Sequence, residues 1–228
     1  MNAQLQKTLA DRAETEATKT RTEREAQEKA KDIMNMEVKV LKYIMDLLKT
    51  EYKDELELLH IDVPEITEVP SIKFMDAKEL LMKKFKYQPS DMKDFDPQEE
   101  ELLGKYAKKE LGSDFIFVTH YPSKKRPFYT KDDPTDPEYT LSFDLLFRGL
   151  EITSGGQRVH DYNMQVEKMK KLGMDPEQFD TYLMLHKYGA PPHGGLGIGL
   201  ERLTMHLLGA KNVRETTLFP RDINRVTP

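Results

Sequence analysis

No cysteine occurs among the 228 residues of the chain, which excludes disulfide bridges and thiolate metal sites and removes any call for an oxidising compartment. No apolar run approaches the roughly 20 residues that span a bilayer, and the polar N-terminus carries no secretory signal. A cytoplasmic protein with no membrane partner is the resulting expectation. Excess positive charge is missing too. The formal net charge is -5 with 33% of residues charged, a balance that favours solubility and argues against a general nucleic-acid binder. A nucleic-acid partner would need a local patch, for which Lys168, Lys170 and Lys171, or Arg214, Arg221 and Arg225, are the candidates; solvated surface charge is the simpler reading of each. The six histidines lie far apart without zinc spacing. No Walker lysine, no kinase-type catalytic loop and no internal repeat is visible. Gly195, Gly197 and Gly199 form G-x-G-x-G, with too little chain behind them to complete a dinucleotide-binding βαβ unit.

What is present divides into two stretches. The length suits one main domain, with room for an appendage. Residues 1–32 read as a charged helical arm, because Glu, Lys, Arg, Thr and Ala dominate from residue 6 and hardly a large apolar side chain follows Leu9. From residue 33 to 228 the pattern is that of a packed core. Met34, Val38, Leu41, Met45 and Leu48 recur at steps of four and three and predict a core-facing helix over 33–48. A helix is expected to begin near Asp76. Asp96-Pro97 followed by Glu99 predicts an N-cap, a first-turn proline and a capping-box acid, with Leu102, Leu103, Tyr106 and Leu111 as the buried stripe. The same signature recurs at Asp175-Pro176 with Gln178. Phe115 to Val118, apolar on both faces, reads as a central strand, and residues 122–137, with four prolines, as a long connection. Leu200, Leu203, Leu207 and Leu208 predict the buried stripe of a last helix ended by Gly209.

Chemistry concentrates in two places. In Phe143 to His160, FDLLFRGLEITSGGQRVH, alternation puts Leu141, Phe143, Leu145 and Phe147 on one face and Ser142, Asp144, Leu146 and Arg148 on the other. A two-residue turn at Arg148-Gly149 would pair Phe147 with Leu150, Leu146 with Glu151, and Asp144 with Thr153, setting Asp144 and Glu151 side by side on the polar face. Such a pair suits magnesium bridged to substrate phosphates, or an ion pair with Arg148 or Arg158. Arg148 is a poor residue for a positive φ. Beyond Glu151, Gly155 and Gly156 would let a ligand approach the backbone, and Arg158 can grip a carboxylate bidentately. The second place is Gly189 to Arg202, GAPPHGGLGIGLER, read as a glycine-dense loop running into a helix. Backbone N–H groups, a helix N-terminus and Arg202 would together receive a phosphate, although an ordinary tight turn has the same composition. His193 could touch that phosphate or hold the turn at Pro191-Pro192. Phosphate, cation and carboxylate sites on one sheet suggest activation of an acid by a nucleotide.

The segment GGLGIGLERLTMHLLGAKNVRETTLFPRD with the closing RVTP resembles motif 3 and the final segment of class II aminoacyl-tRNA synthetases. With RPFY at Arg126 to Tyr129, FDLLFRGLEITSGGQRVH and KYGAPPHGG, the chain is similar to aspartyl-tRNA synthetases of the archaeal type from about Asp32 to Pro228. The resemblance implies an α+β fold, an antiparallel sheet flanked by helices with the 33–48 helix behind it. It implies ATP-dependent activation of L-aspartate to aspartyl-adenylate and transfer to tRNA. Glu151 would then bind magnesium and ATP, with Asp144 a second acidic ligand and Ser154 nearby; Gly199, Leu200, Glu201 and Arg202 match the ATP segment. Ser154, Arg158 and Arg126 match aspartate-binding positions, and Glu151 and Arg202 are the expected catalytic residues. A homodimer is usual in the family. Neither an anticodon-binding barrel nor motif 1 is recognisable in the chain, and only Arg12-Ala13-Glu14 with Thr18 echoes the start of motif 2, so weak ligand binding and poor catalysis are expected. An ammonia-using paralogue similar to archaeal asparagine synthetase, and a non-catalytic interaction module, are the alternatives.

Overall fold

The alternation of large apolar side chains from Leu141 to Phe147 builds the middle of a five-stranded sheet. The computed structural model describes residues 30–221 and 223–227. Its strands are β1 (Ser71–Lys73), β2 (Phe115–Thr119), β3 (Ser142–Phe147), β4 (Leu150–Gln157) and β5 (Gly194–Ile198), in spatial order β1-β2-β3-β4-β5. β1 runs parallel to β2, and the other neighbours are antiparallel. Around them lie α1 (residues 30–51), α2 (Lys53–Leu58), α3 (Phe74–Phe85), α4 (Pro97–Leu111), α5 (Tyr162–Lys171), α6 (Asp180–Lys187) and α7 (Leu200–Leu208). The change of composition at residue 32 falls inside α1, which is already helical at residue 30. The arm expected before it, and the Arg12 to Thr18 echo, lie outside the described residues.

Both faces of the sheet are packed. On one, Phe115, Phe117, Phe143, Leu145, Phe147 and Ile152 meet Leu41 and Met45 of α1 and Leu203 of α7, as the helical stripe predicted. The paired Phe115 and Phe147 stack with centroids 4.4 Å apart. On the other, Ile116, Val118 and Leu146 are covered by Phe74 and Ala77 of α3 and Leu103 and Ala107 of α4. The face expected to be polar is therefore apolar at its β2–β3 end, and the chemistry is confined to the part that α3 and α4 leave uncovered.

Local sequence explains most element boundaries. Asp96 accepts hydrogen bonds from the Gln98 and Glu99 N–H groups, and Glu99 reciprocates on Asp96 N, so the expected capping box starts α4. Its buried stripe differs from the expected one. Leu111 is 44% exposed, and the contact surface is small because a Cβ on Gly104 would lie 2.4 Å from Gly149 N in the β3–β4 turn. Asp175-Pro176 begins a single 3-10 turn, Pro176–Phe179, rather than a helix of its own. Gly209, at φ 66°, ends α7 as expected, but Leu200 and Leu208 are exposed and only Leu203 is fully buried. Residues 194–198, expected in a loop, form the edge strand β5. Lys168 is no part of a surface patch: it is buried, with Nζ on Thr130 O and Asp132 Oδ1.

Arg148 and Gly149 do form the turn, at φ 50° and 84°. Arg148 tolerates that conformation because its guanidinium bonds Asp114 Oδ1, Asp62 O and His206 O, and its N–H bonds Asp114 O at 2.8 Å. The register begins as expected, Phe147 with Leu150 and Leu146 with Glu151, and then shifts. A bulge turns Ile152 into the core, so Asp144 faces Ser154 instead of Thr153.

One carboxylate lies where only apolar groups were expected. Glu37 of α1 is 1% exposed behind the sheet, and neither of its oxygens makes a hydrogen bond of ordinary length. Burial pushes its pKa up to about 7, partly offset by the Thr153 hydroxyl. The folded chain therefore holds this proton more tightly than the unfolded chain, so stability falls as pH rises from about 4.5 to about 7 and is flat above. Replacing Glu37 with Gln is expected to abolish that slope and to stabilise the protein at pH 8 by roughly 3 kcal/mol. Urea midpoints of the two proteins at pH 5 and pH 8 check this; equal slopes with pH would refute it.

Candidate active site

β3 and β4, held in register by the bulge, present the uncovered part of the sheet. Arg126, delivered by the connection after β2, crosses it: Nη1 donates to Ser154 Oγ at 3.0 Å and Nη2 to Asp144 Oδ2 at 2.5 Å. The guanidinium lies 3.7 Å from the centroid of the Tyr121 ring. Burial works against the Arg126 charge, but the Asp144 carboxylate outweighs it and holds the pKa above its ordinary value. Burial and Asp144 also hold the Tyr121 hydroxyl well above its usual pKa. Asp144 has its other oxygen buried and without a partner.

Next to this cluster, Glu151 is pushed up in pKa first by burial and then by Asp144, against Arg202 and Arg126. Arg202, in the first turn of α7, donates to Glu151 O at 2.8 Å and stands 3.9 Å from its carboxylate. Gly199, the N-cap of α7, donates to Ile152 O, which fixes this helix start against β4. Leu200 and Glu201 follow it on exposed surface. Arg158 sits on the far side. With Arg126, Ser154, Tyr129 and Gln157 it lines a cavity of about 300 Å³ closed by the glycines of β4 and β5. A Cβ on Gly195 would come within 3.3 Å of Arg158 Nη2, so glycine there makes room for the guanidinium.

The structure thus joins Arg126, Asp144 and Ser154 directly and Glu151 with Arg202 directly, and it lines one cavity with Arg126, Ser154 and Arg158. The paired glycines line the cavity and have a packing reason as well: a Cβ on Gly155 would strike the Phe143 ring at 2.6 Å, and one on Gly156 would strike Leu141 O at 2.8 Å. They are packing requirements of β3 against β4. His193 bonds Pro191 O through Nδ1 and braces its own turn.

Two residues were missed. Glu100 of α4 accepts from Glu151 N at 3.1 Å, and burial, with Glu151 and Asp144 nearby, pushes its pKa up to about 7. In the sequence it is one of three consecutive glutamates, and nothing local singles it out. Gln157 is 2% exposed and lines the cavity, and its side-chain oxygen has no hydrogen-bond partner. Only the cavity reveals it.

Among the described residues no three metal-ligating side chains converge on one point. The donors that exist suit magnesium carried by phosphates better than a protein cage. Glu151 keeps a reachable carboxylate, whereas Asp144 and Ser154 are already engaged by Arg126.

The family described as tRNA synthetases class II (D, K and N) matches residues 9–223. The aspartate–tRNA(Asp/Asn) ligase of Deinococcus radiodurans is 45% identical over 207 residues, covering 88% of this chain and 47% of that protein. An aspartyl-tRNA synthetase structure from Entamoeba histolytica superposes with a TM-score of 0.81 at 34% identity, over 86% of this chain and 41% of that one. An asparaginyl-tRNA synthetase from Pyrococcus horikoshii, complexed with asparaginyl-adenylate, gives a TM-score of 0.77 at 32% identity, over 87% of this chain and 46% of that one. The chain spans about half the length of the relatives it matches.

Proposed function

The chain belongs to the class II tRNA synthetases (D, K and N), and on that premise we propose that its cavity activates L-aspartate with ATP and passes the aspartyl group to tRNA. The observation that carries this reading is the chemistry of the cavity wall: two guanidinium groups, Arg126 and Arg158, beside the free acceptor of Gln157. Two cations and one acceptor match the two carboxylates and single ammonium group of aspartate.

In this reading Arg158 grips one carboxylate, and Arg126 sets Ser154 and the polarity of the wall for the other. Gln157 accepts from the ammonium group. The α-carboxylate then attacks the α-phosphorus of ATP and pyrophosphate leaves. Glu151, with Asp144 behind it, would hold magnesium carried by the nucleotide, and the ion would supply positive charge to the phosphate oxygens. Arg202 lies over the nucleotide from the start of α7. Gly199 gives that helix start its close approach, whereas Leu200 turns away from it to an apolar groove shared with Ile44 and Leu48 of α1. The reacting groups are both anions, so alignment and charge neutralisation carry the rate.

Aspartate-dependent exchange of pyrophosphate into ATP tests the proposal. Glu151→Ala is expected to lower the exchange rate roughly a hundredfold, about 3 kcal/mol of barrier. An unchanged rate would remove Glu151 from the site. Offering tRNA or ammonia to the preformed adenylate separates aminoacylation from amidation, and absence of exchange in the wild-type chain would favour a non-catalytic module.

A further inference from the structure

On the other side of the 122–132 connection lies a second cavity, about 360 Å³, lined by Met75, Met92, Tyr139 and Leu172 and by Lys93, Lys124, Lys168 and Lys171, with Asp132 and Glu138 as its acids. The same segment walls both cavities. Pro122, Ser123, Lys124 and Asp132 face this one, and Arg126, Pro127, Tyr129 and Thr130 face the candidate active site.

Charge in the second cavity is not balanced. Asp132 is consumed by Lys168 Nζ and Ser123 Oγ. The nearby Asp91 and Asp94 are consumed by Lys125, and their backbone oxygens by Lys78. Glu138 makes no ion pair among the described residues, which leaves one acid against the ammonium groups of Lys93, Lys124 and Lys171, also without ion-pair partners there. The lining therefore carries excess positive charge in a chain whose net charge is -5. Behind it stands Lys168, 5% exposed, whose pKa burial depresses.

An open hollow with an apolar floor, rimmed by three cations without ion-pair partners among the described residues, suits a compact body with a doubly charged head. We propose that this cavity binds a small phosphate monoester, a mononucleotide or a molecule of similar size, at a site separate from the active-site cavity. Lys93, Lys124 and Lys171 grip the phosphate, and Met75, Met92, Tyr139 and Leu172 receive the body.

Calorimetric titration of the chain with phenyl phosphate, and separately with AMP and inorganic phosphate, tests this. Phenyl phosphate is expected to bind saturably, and inorganic phosphate at least tenfold more weakly because it leaves the apolar floor unfilled. Lys124→Glu combined with Lys171→Glu is expected to weaken phenyl phosphate at least tenfold, while Arg158→Gln leaves it unchanged. Both lysines are exposed and neither packs in the core, so the double variant folds; its urea midpoint checks that. If AMP binds this site as well as the nucleotide site, one of its two binding events is lost in the lysine variant and the other in Arg202→Ala. No saturable binding of phenyl phosphate, or binding lost with Arg158 and retained without the lysines, would overturn the assignment.

Discussion

Replacing Lys78 with Met is expected to destabilise the chain by about 3–5 kcal/mol, the range found when one partner of a buried ion pair is removed. Lys78 and Glu99 are both 0% exposed, with Nζ 2.7 Å from the carboxylate. The ammonium group also donates to Asp91 O and Asp94 O and lies 4.7 Å from the centroid of Phe95. Every polar group it touches is then left without its donor. Methionine fills the space of the stem but strands the buried Glu99 carboxylate without its counter-charge. Glu99 is also the reciprocal member of the α4 capping box, so damage spreads to the helix start that places Glu100 against Glu151. The double variant Lys78→Met with Glu99→Gln is expected to recover most of the loss, because a neutral amide can still accept from Asp96 N without stranding a charge. Urea denaturation of the two single variants and the double variant measures the coupling. A loss below about 1 kcal/mol for Lys78→Met would show that water reaches the pair.

Lys78 marks the limit of what a sequence pattern can say. The strand Phe115 to Val118, the alternation through Phe147, the stripe through Leu41 and Met45 and the cap at Asp96 were legible because each is a local rule: a period of two, a period near 3.6, a side chain three residues from its partner. All four stand in the structure. Lys78 and Glu99 are 21 residues apart, and each looks like a solvated charge until α3 and α4 are laid together. Glu37 misleads in the same way. It sits one position from Val38 of the core stripe, and only the sheet behind it shows that a charge there has no water. The bulge at Ile152 is a third case, since strict alternation placed Thr153 opposite Asp144, and only core packing turns Ile152 inward and shifts the pairing by one. The glycines of β5 carry no strand preference, so the strand is invisible locally; its neighbours on β4 supply the pairing that its own residues do not.

The candidate site was legible to a different degree. Asp144 and Glu151 were expected together because a two-residue turn fixes the register of the first pairs, and Arg148 could adopt the turn only with the long-range bonds to Asp114, Asp62 and His206 that no local rule contains. Arg158 and Arg202 are indicated by their local sequence, beside Gly155-Gly156 and after the glycine-dense segment, as well as by motif resemblance, and Ser154 by the resemblance. Their grouping with Arg126 depends on a connection of irregular backbone, for which periodicity is silent. Glu100 is hidden in a run of acids, and Gln157 stands beside an arginine with the more evident chemistry.

Arg126→Leu is expected to lower the efficiency of aspartate-dependent pyrophosphate exchange by about a thousandfold, since truncating one member of a buried charged pair costs roughly 2–5 kcal/mol in recognition. The side chain is 12% exposed and its partner Asp144 7%, so solvent offers little replacement. Without the guanidinium, Asp144 keeps no bonded cation, Ser154 loses its donor, and Glu151, whose pKa burial and then Asp144 already raise, loses one of the two arginines that lower it. A dicarboxylate would then enter a cavity whose positive wall has shrunk to Arg158. The effect falls mainly on the KM for aspartate, with that for ATP much less changed. Arg126→Lys keeps the charge but not the fork that reaches Asp144 and Ser154 together, and it is expected to recover only part of the activity. Asp144→Asn added to Arg126→Leu removes the stranded carboxylate, so it restores stability in urea without restoring use of aspartate. That split separates recognition from folding: if the double variant regains exchange as well as stability, Arg126 serves only to neutralise Asp144, and the carboxylate-binding wall lies elsewhere.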